Sequence, residues 1–296
     1  MKILIKTLVL AFVLVNVTRL VNRTDNVFIS NSQSELLTYL VVGFDDAAEN
    51  TDVIFTLSYY ASPNKINVMQ IPRDTYVSFD DYRGKINGFY PYKKLCGNSR
   101  EEILSSMRDR ISALLGIQID GYVGFTASGF INAVDFVGGV DIDLPCGYDD
   151  ILDDEQGGQS TIHLDGESAY RFVRYRKGFP RGDLERLDAQ KVFIKAAFKK
   201  IKQRNDVLFL FFEVAKDDGV FFEFNKARAF LVFTKNIFKL SDAELITATL
   251  PGIADSENGI SYYYVNKETA DSMMRELFGS SYRGLDSNLN LVYKDK

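Results

Sequence analysis

Five arginines fall between Ser168 and Gln190, at Arg171, Arg174, Arg176, Arg181 and Arg186, with the acid Asp183 among the last of them. Guanidinium groups at this density, each a planar fork of donors, suit the oxygens of a phosphate. Arg174 and Arg176 are two apart, so an extended segment sends both to one side. Gly178, Pro180 and Gly182 break any helix there. Asp183 reads as the N-cap of a following helix whose apolar stripe is Leu184, Leu187, Ile194, Phe198 and Ile201. Arg186 and Gln190 are four apart on that helix. They share a face beside the stripe, close to an N-terminus whose partial positive charge also favours an anion. The competing reading of the same residues is a solvated, salt-bridged basic surface.

Composition narrows the chemistry. With 296 residues, 46% of them hydrophobic, the chain can fill one large core or two modest ones. A formal net charge of -5 argues against a nucleic-acid partner held by bulk electrostatics, so any phosphate site is local. A single histidine, His163, and two cysteines, Cys96 and Cys146, exclude a His-based metal cluster. They also leave little for a Ser-His-Asp or Cys-His device, and His163 reads as structural. Polar chemistry falls to Arg, Asp, Glu and Lys.

Other elements must position these groups. Ile3 to Val21 is apolar apart from Lys6, Thr7, Asn16, Thr18 and Arg19, and a helix of that length covers about 28 Å, close to a bilayer core. Residues 1–21 read as an uncleaved membrane anchor, because no Ala-x-Ala-like site follows; a cleaved signal peptide is the competing reading. The small excess of Lys2, Lys6 and the free amine over Arg19 and Arg23 places the bulk of the chain outside the cell. In that oxidising compartment Cys96 and Cys146 fit either a disulfide or two buried thiols.

Residues 22–35 form a polar linker, and residues 36–296 the folded domain. Leu36 to Phe44 is a continuous apolar run suited to a strand buried on both faces. Val53 to Tyr60 and Ile66 to Ile71 form a hairpin around Ser62-Pro63-Asn64-Lys65. Asp45 and Asp52 therefore fall at neighbouring strand ends. Arg73 and Asp74 follow a third strand end, where such a pair is ordinarily a turn salt bridge. Helical and strand patterns then alternate: Arg100 to Leu115, Gly121 to Phe125, Ala127 to Val137, Val140 to Leu144. Cys146 to Gln159 reads as an acidic surface loop, and Asp206 to Leu240, with LFLFFEV, FFEF and AFLVF, as helices packed on the sheet. Thr247 to Leu250 and Ser261 to Val265 read as strands, and Thr269 to Leu277 as a final helix.

Seven blocks then occur in one order: GFD from Gly43, NTDVIFTLS from Asn50, INVMQIPRDTYV from Ile66, KINGFYPY from Lys85, IDGYVGFTASGFINAVDFVGGVDIDLP from Ile119, HLDGESAYRFVRYRKG from His163 and GDLERLDAQ from Gly182. Together, over roughly Leu36 to Leu250, they resemble the catalytic domain of the LytR-CpsA-Psr family. The resemblance implies an α/β/α sandwich around a mixed central sheet, a hydrophobic pocket for a polyprenyl tail and one N-terminal transmembrane helix. The implied protein is a single-pass protein of the cell membrane. Its implied activity is an extracytoplasmic phosphotransferase that moves a glycopolymer, such as a teichoic acid or capsular-type polysaccharide, from an undecaprenyl-pyrophosphate carrier to peptidoglycan.

On that resemblance Arg73, Arg174, Arg176 and Arg186 match the pyrophosphate-binding arginines, with Gln190 bonding phosphate or sugar. Asp45 and Asp52 match the acids that hold Mg²⁺ or Mn²⁺, an ion suited to one or two carboxylates plus phosphate oxygens and water. Asp74 would orient Arg73 or help ligate the ion, and Asp183 would cap its helix or hold Arg186. Two positions depart from the family pattern: Asn50 and Ala189 stand where arginines are usual, which implies less positive charge at the pocket rim. A polyprenyl-pyrophosphate hydrolase with water as acceptor, and a non-catalytic polyprenyl-lipid-binding protein, are the alternatives.

Overall fold

The computed structural model describes residues 36–47, 49–79, 81–144, 161–175, 183–204, 206–224 and 242–285. The expected anchor and linker lie outside these residues, as do Arg176, Arg181 and the whole of the expected acidic loop, Cys146 included. No helix of the described residues is long and apolar enough to cross a membrane.

The strands are β1 (Leu36–Phe44), β2 (Thr51–Tyr60), β3 (Lys65–Gln70), β4 (Tyr76–Phe79), β5 (Tyr82–Lys85), β6 (Gly121–Phe125), β7 (Val140–Asp143), β8 (Thr161–Leu164), β9 (Val220–Phe224), β10 (Glu244–Thr249), β11 (Gly252–Glu257) and β12 (Ile260–Val265). The helices are α1 (Phe89–Leu95), α2 (Arg100–Leu115), α3 (Ala127–Phe136), α4 (Gly166–Arg174), α5 (Asp183–Lys202), α6 (Val207–Val214) and α7 (Lys267–Phe278). Six strands form a mixed sheet in the order β10-β3-β2-β1-β6-β9. β1 pairs antiparallel with β2 and parallel with β6, while β3 pairs antiparallel with β2 and parallel with β10. Those directions bring the ends of β1, β3, β6 and β10 and the start of β2 to one edge of the sheet.

Side chains alternate across β1, as a pleated strand requires. Leu36, Leu40, Val42 and Phe44 enter a core with Ile103, Leu104, Met107 and Ile111 of α2 and Met274 of α7. Leu37 and Tyr39 face the other way, where Ile194 and Phe198 of α5 pack. The sheet is therefore covered on both faces, and the uninterrupted apolar run of β1 follows from its interior place. A third apolar cluster joins α4, α5 and the β7–β8 ribbon through Ile142, Leu164, Phe172 and Phe193.

Local signals fix the helix ends. Ser99 and Glu102 form a reciprocal capping box on α2, and Thr126, Asp165 and Asn266 cap α3, α4 and α7. Helix α2 stops at Gly116, whose φ of 62° is left-handed. A Cβ there would stand 1.9 Å from the Gly284 carbonyl oxygen, so chain 282–285 can seal the end of α2 only over glycine.

Three expectations change. Arg174 ends a helix rather than lying in an extended segment, because Asp165 starts α4 and its apolar residues Ala169, Phe172 and Val173 are buried. Within Asp206 to Leu240 the described residues hold one helix, α6, and one strand, β9, which adds to the sheet edge against β6. Cys96 is exposed rather than a buried thiol.

Candidate active site at the strand ends

The register shift between Gly43 and Phe44 lets β1 leave the sheet, and the Asp45 N–H donates to the Asn50 carbonyl to close the short loop into β2. That closure turns the Asp45 carboxylate inward. Its Oδ1 accepts the Glu49 N–H at 2.8 Å and its Oδ2 the Asn50 side-chain amide at 2.7 Å. Burial pushes the Asp45 carboxyl up, but these hydrogen bonds, that from the Asn50 N–H and the Arg174 charge outweigh it and hold it below the usual range.

Asp52 lies one residue into β2. After β3, Pro72 opens a turn closed by the Thr75 N–H, and Arg73 swings from it so that Nη1 donates to Asp52 Oδ1 at 2.6 Å. The neighbouring Asp74 meets Lys85 Nζ at 2.9 Å instead of orienting Arg73. The Asn87 N–H returns to the Arg73 carbonyl at 3.2 Å. These groups line an open cleft of about 410 Å³. Its described walls are wholly polar: the carboxylates Asp45, Asp52 and Asp74, the cations Arg73, Lys85 and Arg174, and the amides Asn50 and Asn87.

Arg174 enters from the last turn of α4, where a cation suits the helix end. Nη1 lies 2.5 Å from Asp46 Oδ1 and Nη2 lies 3.9 Å from Asp52 Oδ2. Tyr170, one turn back, hydrogen-bonds both Asp46 and Arg174, and its ring sits 5.1 Å from the guanidinium carbon. Asp46 is held below the usual carboxylate range by the Tyr170 hydroxyl and Arg174, while burial pushes the Tyr170 hydroxyl well up.

Asp45, Asp52, Arg73, Asp74 and Arg174 thus converge. Arg186 does not line the cleft. It is 1% exposed, and its Nη2 donates to the Asp52 main-chain carbonyl at 3.2 Å, underpinning the start of β2. Gln190 is also buried. Its amide donates to the Val173 carbonyl at 3.2 Å and its carbonyl oxygen accepts from Gln70 at 3.3 Å, so it joins α4, α5 and β3. Its contacts among the described residues are thus to the main chain of α4 and to a neighbouring amide. Asp183 is the first residue of α5 and its side chain lies outside the described residues.

Of the two departures, Asn50 is at the rim. Ala189 is fully buried in the cluster with Phe172 and Phe193, so the expectation that it thins charge at the rim is corrected. Sequence reasoning missed Lys85, Asn87, Asp46 and Tyr170. The first two belong to the KINGFYPY block, where a lysine before a turn was the available signal.

A family model described as the LytR_cpsA_psr family matches residues 15–279. The chain belongs to the LytR_cpsA_psr family. Among curated LytR_cpsA_psr relatives, the polyisoprenyl-teichoic acid–peptidoglycan teichoic acid transferase TagU of Oceanobacillus iheyensis is 27% identical over 262 residues, covering 83% of this chain and 77% of TagU. The cell wall biosynthesis protein LcpA of Corynebacterium glutamicum is 30% identical over 175 residues, which cover 53% of this chain and 34% of LcpA. The crystal structure of B. subtilis TagV superposes with a TM-score of 0.64 at 22% identity, over 83% of this chain and 98% of TagV. TagT bound to LIIa-WTA superposes with a TM-score of 0.66 at 19% identity, over 86% and 96%. These likenesses establish the mixed α/β fold around a central sheet.

Proposed function

We propose that the chain is an extracytoplasmic phosphotransferase moving a glycopolymer, a teichoic acid or capsular-type polysaccharide, from an undecaprenyl-pyrophosphate carrier to peptidoglycan. The observation that carries this reading is the cleft in which Arg73, Lys85 and Arg174 face three carboxylates with no apolar residue among the described walls. TagU, named for transfer of teichoic acid to peptidoglycan, supports the choice of donor and acceptor. The apolar stretch from Ile3 to Val21 supports a membrane anchor.

The balance of three cations and three acids in the cleft supports a divalent ion as cofactor. A diphosphate entering a neutral cleft brings uncompensated negative charge, which in a partly buried site is costly. The donor set fits Mg²⁺ or Mn²⁺: Asp45 and Asp52 supply hard carboxylate oxygens that line the cleft. Among the described residues no group of three or more His, Cys, Asp or Glu is placed to hold an ion alone. When bound, the ion supplies the positive charge that the walls lack.

The chain's own residues position and neutralise. Arg73, steadied by Asp52, and Arg174, steadied by Asp46 and Tyr170, hold phosphate oxygens, and Lys85 reaches them from the opposite hairpin. The acceptor hydroxyl forms a new P–O bond to the polymer-bearing phosphorus, the P–O bond to the carrier phosphate breaks, and the hydroxyl proton passes to a cleft carboxylate. Polyprenyl phosphate leaves.

Asn50 at the rim favours one second reading, hydrolysis with water as acceptor. Both are tested by incubating the protein with a polyprenyl-pyrophosphate-linked saccharide, Mg²⁺ and cell-wall glycan. A phosphodiester-linked product, lost in Arg73→Ala, supports the transferase. Release of polymer phosphate independent of glycan supports the hydrolase, and bound but unreacted lipid supports a binding protein.

A further inference from the structure

We infer that the tyrosine-bearing face of the β11–β12 hairpin is a subsite for an uncharged glycan, seating sugar rings of the acceptor beside the cleft. It rests on the phosphotransferase reading. The hairpin is fastened to the cleft wall itself. The Tyr263 N–H donates to the Asp74 carbonyl at 2.8 Å, and Thr75 bridges to Tyr263. Strand alternation then sends Tyr262 and Tyr264 to the face opposite Tyr263.

Tyr76 joins them there. Its ring lies 5.7 Å from that of the buried Tyr264 at a tilt of 32° and 5.3 Å from that of Tyr262, edge to face. Tyr76 and Tyr262 are half-buried, so the cluster is not sealed into the core. Tyr76 stands directly opposite Lys85 in the β4–β5 register, and Lys85 reaches into the cleft to Asp74. The aromatic surface therefore begins where the cleft ends.

The face also carries polar groups suited to hydroxyls. Asp255 pairs with Tyr262 and Ile253 with Tyr264, which puts a carboxylate and an exposed aliphatic group beside the rings. A pyranose has apolar C–H faces and a rim of hydroxyl donors. Tyrosine rings take the first and a carboxylate the second. Charge selects between sugars. Gly252 to Val265 contains Asp255 and Glu257 but no lysine or arginine, a poor match for a polyphosphate chain and a good one for a neutral glycan.

The test is calorimetric titration of the full chain with a chito-oligosaccharide, an uncharged β-1,4-linked N-acetylglucosamine polymer, and separately with inorganic pyrophosphate and Mg²⁺. Tyr262→Ala and Asp255→Ala should each weaken the glycan by about fivefold or more and leave pyrophosphate unchanged. Tyr262→Phe, which keeps the ring, should retain most glycan binding. In the transfer assay, Tyr262→Ala should raise KM for the acceptor but not for the lipid-linked donor. Glycan binding that is absent, or equal in all variants, overturns the inference. A raised donor KM instead assigns the face to the donor polymer, and self-association abolished by Tyr262→Ala assigns it to a second copy; either also overturns it. Failure of pyrophosphate to bind the unaltered chain refutes the phosphotransferase reading separately, whatever the glycan titration gives.

Discussion

Asp52→Asn isolates the charge that organises the cleft. Asp52 and Arg73 are only 13% and 19% exposed in their side chains and meet at 2.6 Å, so the pair is well shielded from water. A hydrogen bond to a charged group contributes about 1.5–3 kcal/mol, and asparagine retains an acceptor, so a loss of about 1–2 kcal/mol in unfolding free energy is expected. The same change weakens the tether on Arg73 and removes a negative charge 3.9 Å from Arg174. Turnover should fall by about two orders of magnitude, the scale of losing one preorganised charged group. Urea unfolding reads the first effect and the transfer assay the second. A double-mutant cycle with Arg73→Met should give a coupling of about 1–2 kcal/mol between the two sites. Losses that simply add, or a variant with unchanged stability and turnover, would refute the reasoning.

Arg186→Ala should act through the fold, losing about 2–4 kcal/mol in a urea melt because a buried side chain and the donor to the Asp52 carbonyl go together. Gln190→Leu should cost about 1–3 kcal/mol by the same assay, since the Val173 carbonyl loses its donor and the Gln70 amide one acceptor, while pyrophosphate affinity stays within about twofold. Burial pushes the hydroxyls of Tyr82, Tyr263 and Tyr282 up to about 12 from 10.0. Their folded values are raised, so the stability tied to the neutral form is complete below pH 10 and is lost as pH climbs toward 12. The phenolate absorbance of the folded chain should therefore lag that of the urea-unfolded chain, and coincident curves would contradict this.

The sheet was legible because interior strands are apolar on both faces, as in Leu36 to Phe44, and because the hairpin of β2 and β3 carries its own turn residues. Asp45, Asp52 and Arg73 were legible because each lies close to the start or end of such a strand. Arg186 and Gln190 share the helix their spacing indicates, and both are buried in it. A four-residue spacing says that two side chains share a face, and only packing against β2, β3 and α4 decides that this face points inward. Lys85 reaches Asp74 through the β4–β5 register, and Asp46 reaches Tyr170 across 124 residues of sequence. Neither approach leaves a local pattern. FFEF read as helix because its aromatic density outweighed its short length, and pairing with β6 made it a strand.

The central claim is that a cleft of balanced charge accepts a diphosphate only together with a divalent ion. Calorimetric titration of the unaltered chain with inorganic pyrophosphate, with and without Mg²⁺, tests it most directly, with Arg174→Ala alongside. The account predicts binding that needs Mg²⁺ and weakens about tenfold or more in the variant. Equal binding without the ion, or an affinity indifferent to Arg174, would contradict it.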